Sequence, residues 1–143
     1  MIGFFEYQYL RFKKSHLKNL VALAKADGHF HEDEVKYLYK IGAKYQLKPH
    51  QIDRIVKGEE ETELQIPKEF HKKVAFLYDT VGMMLADGII DDREIEFCRD
   101  MFRRFGFDNT LIDDMIHAYK LGGLEDQEDW EHFLDKARAL EIA

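Results

Sequence analysis

The chain has 143 residues, a formal net charge of −7 and one cysteine, and 45% of its residues are hydrophobic. This length fits one domain, or two small halves that share a core, while the acidic balance argues against a nucleic-acid-binding protein and against attachment to an anionic membrane surface. A single cysteine excludes an internal disulfide and favours a cytoplasmic protein, and no stretch approaches the roughly 20 apolar residues of a membrane span.

The first predicted helix runs from about Tyr7 to Ala26, where apolar residues recur at helical spacing. Gly28 ends it, since glycine tolerates the left-handed conformation in which many helices stop. Alternatively, Ser15 caps a shorter helix and leaves residues 1–14 as a separate aromatic arm. Such an arm either packs against its own bundle or docks on a partner protein or a second copy of this chain, as a homodimer.

Two shorter helices complete the first half of the chain. One begins near Glu32, and the other has Pro49 in its first turn and ends at Gly58. The acidic segment 59–63 follows, and we expect it to be a solvated link between the two halves.

Four helices are predicted in the second half. The first is long and runs from Pro67 to the Asp-Gly pair at 87–88. The next ends at Gly106, the third is capped by Asp108 and the last is capped by Asp126. No segment shows the strict alternation of apolar and polar residues that is typical of a half-buried strand, so the sequence predicts an all-α protein.

A segment of the first half recurs in the second half at an offset of 60 residues. Residues 26–56 match residues 86–116 without a gap, and both segments open with Ala-Asp-Gly. Acidic and apolar positions correspond together, including Glu34 with Glu94. The pattern predicts a compact bundle of about seven helices built from two similar halves, each with a face that it cannot bury alone. The expected ranges are about 15–58 and 67–122 for the halves and about 126–140 for a C-terminal helix.

Each copy of the repeat places an aspartate seven residues before a glutamate, Asp27 before Glu34 and Asp87 before Glu94. The spacing resembles the second half of an EF-hand loop, but the earlier ligand positions of such a loop have no oxygen ligands here. If the halves bring their turns together, the four acids surround one pocket of negative potential, and Ca²⁺, Mg²⁺ or Mn²⁺ suits such oxygen ligands. Capping is the alternative explanation, because a glutamate in the first turn of a helix binds free amides and complements the helix dipole.

The pattern of an apolar helix that ends in Ala-Asp-Gly, a short polar turn and a glutamate that opens the next helix resembles the tellurite-resistance TerB-like family. That family includes the helical domain that precedes the J domain in DjlA-type co-chaperones. The resemblance rests on segments 23–28 and 84–88 with Glu34 and Glu94, and it covers roughly residues 15–120. It implies a duplicated helical bundle, a cytoplasmic setting and a divalent-cation site at the acids, and it implies no enzymatic reaction.

The two turns differ in their other side chains. His29 and His31 occupy the first turn, where the second has Ile89 and Asp91, so the two sites need not be equivalent. The histidines suggest zinc, but no cysteine pair or metalloprotease motif supports a zinc site, and exposed turn histidines are the simpler interpretation. Cys98 replaces an apolar residue of the first copy and is predicted to be a small core residue.

Three hypotheses of function follow. The first is a non-enzymatic, TerB-like stress-response or tellurite-resistance protein that holds a divalent cation at Asp27, Glu34, Asp87 and Glu94. The second is a protein-interaction or co-chaperone-like module whose acids only cap helices and whose partner binds the aromatic arm or the helix of Trp130. A metal-dependent hydrolase is a third hypothesis, but no nucleophile or general base is apparent beside the acids.

Overall fold

The computed structural model describes residues 4–26, 32–59, 66–86, 92–124 and 126–142, with the backbone alone for 4–12, Ala26 and Arg93. Among these residues there are seven helices and no strand, which confirms the predicted all-α class. The helices are α1 Phe4–Ala26, α2 Glu32–Lys44, α3 Pro49–Val56, α4 Phe70–Leu85, α5 Asp92–Arg104, α6 Thr110–Lys120 and α7 Gln127–Arg138.

Unit 1 (Met1–Gln65) is one of two compact units into which the chain divides, and it contains α1, α2 and α3. Each of these helices packs against the other two. As predicted, α3 begins at Pro49 and is followed by Gly58, whose φ of +81° lies in the left-handed region. The buried aliphatic side chains of this unit include Leu17, Leu20, Val21, Leu38, Ile41, Leu47, Ile52 and Ile55.

Unit 2 (Ile66–Ala143) contains α4, α5, α6 and α7. Within it, α4 packs against the three other helices, and α5 packs against α6. Every residue of α4 from Val74 to Met84 is buried except Ala75. A helix that is apolar on nearly all sides is expected at the centre of its neighbours, and this explains why α4 shows no clear polar face.

α1 extends without a break from Phe4 to Ala26. The alternative in which Ser15 caps a shorter helix is therefore wrong, since residues 4–14 belong to α1 and form no separate arm. The helix begins three residues before the predicted Tyr7. Serine in a helix interior costs only a few tenths of a kcal/mol, about 0.5 relative to alanine. The hydrogen bonds of a long, continuous helix outweigh that cost.

α4 begins at Phe70 rather than at the predicted Pro67. Glu69, directly before it, has an extended conformation with φ −80° and ψ 137°. Proline fixes φ at a value that suits both a first helical turn and an extended chain. Pro67 therefore shows where a helix is permitted to start, and it does not determine the first helical residue.

Turn residues begin and end the helices of unit 2 largely as predicted. α5 is followed by Gly106, whose φ is +88°. The backbone N–H of Thr110, the first residue of α6, donates to Asp108 Oδ1 at 2.9 Å. The backbone N–H of Glu128 in α7 donates to Asp126 Oδ1 at 2.7 Å. Both aspartates thus satisfy amides that have no partner within the helix.

After α7 the chain returns to the connection between α5 and α6. The backbone N–H of Asp108 donates to the Leu140 carbonyl, and the N–H of Ile142 donates to the Gly106 carbonyl, each at 2.8 Å. These bonds form an isolated antiparallel β-bridge. The last residues of the chain thereby hold the connection that begins α6.

One pair of helices and several buried positions of the two units follow the predicted offset. α2 and α5 are each 13 residues long and begin at Glu32 and Asp92, 60 residues apart. The other pairs differ in length, with 23 and 16 residues in α1 and α4 and 8 and 11 residues in α3 and α6. The internal duplication therefore stays a prediction. Positions buried in both units are Leu17 and Leu77, Val21 and Val81, Leu38 and Cys98, Ile41 and Met101, Leu47 and Phe107, Ile52 and Ile112, and Ile55 and Met115.

Candidate acidic site

Two of the four predicted cation ligands lie in the described part of the chain. Glu34 is in the first turn of α2, and Glu94 is in the first turn of α5. Asp27 and Asp87 lie outside the described residues. The convergence of the four acids, which depends on where these aspartates lie, therefore stays a prediction.

Glu34 is only 6% exposed although it lies in the first turn of a helix. In the same turn Glu32 and Asp33 are exposed, and Glu32 Oε1 lies 3.6 Å from Lys36 Nζ in a solvated ion pair. A glutamate is rarely buried unless its charge is compensated, and Glu34 does interact with other groups of the protein. The turn therefore contains two surface acids and one acid that is withdrawn from water.

Glu94 occupies the equivalent place in α5 and is half-buried. Its Oε2 atom is shielded from solvent, whereas Asp92 in the same turn is exposed. Glu94 also interacts with other groups of the protein. Each glutamate is thus less exposed than a neighbouring acid of its own turn. Glu34 is buried as a whole residue, whereas Glu94 is half-buried with one shielded carboxylate oxygen.

The electrostatics of a helix start favour an acid at both positions. The first amides of a helix have no intrahelical acceptor, and the macrodipole is positive at this end. These terms stabilise the carboxylates of Glu34 and Glu94, but a buried carboxylate also loses its hydration. Either hydrogen bonds to the free amides, as in capping, or a bound cation can offset that loss.

No group of three or more His, Cys, Asp and Glu side chains within the described ranges is arranged to hold a metal ion. Glu34 and Glu94 are the members of the predicted set in those ranges. A Ca²⁺ ion takes about six to eight oxygen ligands, so a site built on the glutamates needs Asp27, Asp87, backbone carbonyls or water as well. The residue types fit a hard divalent cation, which prefers carboxylate oxygens.

The thiol of Cys98 belongs to the interior of unit 2. Cys98 is buried, and its Sγ lies 3.6 Å from Met84 Sδ, which confirms its prediction as a core residue. His29 and His31, the alternative zinc ligands, lie outside the described residues. Four methionines of unit 2 are also buried: Met83, Met84, Met101 and Met115.

Sequence reasoning missed several polar side chains that are buried. Lys13, His16 and Asn19 lie one turn apart on α1, and all three are buried. The ring of His16 packs against Tyr45 at a centroid distance of 4.9 Å. Asp79, on α4, is 1% exposed. At the same offset of 60 residues Asn19 is in register with Asp79, and this shared polar position was the one signal of them in the sequence.

Trp130, on the helix predicted to bind a partner, packs within unit 2. It is half-buried, with its ring edge-on to Tyr78 at 5.8 Å and stacked on Phe133 at 6.2 Å. The hydroxyl of Tyr78 accepts a hydrogen bond from the backbone N–H of Leu124 at 2.9 Å. Much of the Trp130 ring thus stabilises its own unit. The side chains of the predicted aromatic arm lie outside the described set: Phe4, Phe5, Tyr7 and Tyr9.

None of the helices in the described ranges combines the length and the apolar character needed to cross a bilayer. Comparison of the chain with models of protein families, with curated proteins and with solved structures found no match. The resemblance to TerB-like proteins therefore rests on the repeated Asp-Gly and glutamate positions alone.

Proposed function

We propose that the protein is a non-enzymatic, cytoplasmic, TerB-like domain that holds a divalent cation at Asp27, Glu34, Asp87 and Glu94 and acts in a stress response of the tellurite-resistance type. The cellular role rests on the resemblance of the repeat to that family. The cation site rests on one observation: two glutamates 60 residues apart, each in the first turn of its helix, are withdrawn from water, Glu34 as a buried residue and Glu94 through its shielded Oε2 atom.

The connections between helices support the choice of the aspartates as further ligands. Only five residues, 27–31, join α1 to α2, so the end of α1 and the first turn of α2 lie at the same end of unit 1. The short connection 86–91 joins α4 to α5 in the same way. The proposal requires the two turns to converge, and four acids gathered at one place would repel one another unless protons or a cation intervened. A structural cation needs ligands only, so the proposal assigns no nucleophile, base or reaction.

The alternative function is a protein-interaction or co-chaperone-like module in which the acids only cap helices. The first-turn positions of Glu34 and Glu94 favour it as well, because a capping glutamate reaches the free amides at the start of its own helix. In that case removal of cations leaves stability unchanged. A partner protein or a second copy of this chain is expected under either function.

Thermal unfolding with Ca²⁺, Mg²⁺ or Mn²⁺ tests the proposal. A ligand that binds only the folded state stabilises it by about 2.7 kcal/mol at 100 times its Kd, which corresponds to a rise in Tm of about 5–10 °C for a chain of this size. We expect at least one of these ions to produce such a rise and a chelator to reverse it. Glu34→Gln or Glu94→Gln should remove most of the rise, because each variant loses a charged ligand.

Matched controls use the exposed acids of the same helical turns. Glu32→Gln removes the same charge next to Glu34, and Asp92→Asn does so next to Glu94. Both controls should keep the cation-dependent rise in Tm. If no ion raises Tm, or if the controls abolish the rise as fully as the glutamate variants do, the cation site is wrong. Partner binding that survives conversion of both aspartates to asparagine would then favour the interaction module.

A further inference from the structure

We draw no further inference here: the strongest candidate, the buried thiol–thioether pair of Cys98 and Met84 in unit 2, whose sulfur atoms lie 3.6 Å apart, has the ligand chemistry of a soft metal ion but carries nothing, because packing of two apolar side chains accounts for the contact and no second observation points to a bound metal.

Discussion

Glu32 and Glu34 lie in one helical turn and have different surroundings. Glu34 lies four residues before Leu38 and seven before Ile41, which places it on the buried stripe of α2. Glu32 is off that stripe and pairs with Lys36 at the surface, an interaction worth at most about 1 kcal/mol. The helical register thus explains which acid is withdrawn from water, and this register could be predicted from the sequence.

A buried acid on α4 gives a prediction for stability. Asp79 is 1% exposed and interacts with other groups, so Asp79→Ala leaves those groups without their partner and should cost about 1–3 kcal/mol. Asp79→Asn keeps the shape of the side chain and removes its negative charge. A cost smaller than that of Asp79→Ala would mean that the charge is not required, and an equal cost would mean that it is. Chemical denaturation measures both, with the exposed Asp135→Ala as a control expected within about 0.5 kcal/mol of the parent. If Asp79→Ala left the free energy of unfolding unchanged, Asp79 would not be a buried carboxylate whose charge other groups compensate.

The hydrogen bond between Tyr39 and Asp53 predicts a dependence of stability on pH. The phenol of Tyr39 donates to Asp53 Oδ1 at 2.5 Å, and this bond, together with burial and the charge of Asp53, raises the pKa of Tyr39 above its usual value. A raised folded-state pKa stabilises the fold fully below the unfolded pKa of about 10. That contribution is lost as pH rises through the higher folded-state value.

Tyr39→Phe removes both the hydrogen bond to Asp53 and the phenol group that titrates. The parent protein should therefore be more stable than the variant at neutral pH, and the difference should shrink as pH rises above about 10. Urea unfolding of both proteins across that range measures the difference. A gap that stays constant to high pH, or one that widens, would mean that this bond does not set the titration of Tyr39.

At the scale of helices, local patterns were sufficient for most positions. Pro49, Gly58 and Asp126 act within a few residues of themselves, so their roles at helix ends were predictable. The first residue of α4 was not predictable in this way, because Pro67 suits both a helical turn and an extended chain. The burial of Lys13 was not predictable either, because a charged residue is assigned to the surface unless its tertiary neighbours are known.

The contact between α2 and α3 depends on a glycine. A Cβ atom at Gly42 would lie 2.7 Å from both Cγ1 and Cδ1 of Ile52, which is buried. Gly42→Ala gains about 1 kcal/mol of helix propensity, but overpacking costs about 1–3 kcal/mol, so we expect a net loss of about 1 kcal/mol. In a double-mutant cycle by chemical denaturation, Ile52→Ala should make Gly42→Ala neutral or stabilising. If Gly42→Ala stabilises the parent protein, α2 and α3 do not approach as closely as described.

At the scale of the whole chain, the glutamates and the aspartates of the candidate site differ in how far the sequence could predict their positions. The register of Glu34 and Glu94 follows from the helical period and from the offset of 60 residues. Whether Asp27 and Asp87 approach each other depends on tertiary packing, and no local pattern contains that information. The duplication stays a prediction, and the bounds of α2 and α5 alone match at the offset. Its energetic consequence can be measured separately.

Equivalent core truncations should have similar costs if the two units are equivalent. Ile55 on α3 and Met115 on α6 are 60 residues apart and both 0% exposed, so Ile55→Ala and Met115→Ala should each destabilise the protein by about 2–5 kcal/mol. Equilibrium denaturation gives the totals, and amide hydrogen exchange assigns each loss to its unit. Lys44→Ala and Arg104→Ala, at exposed equivalent positions, should change stability by no more than about 0.5 kcal/mol. If one truncation destabilised the protein and the other left its stability unchanged, the two aligned positions would pack differently. A shared helical arrangement requires both cavities to lower the free energy of unfolding.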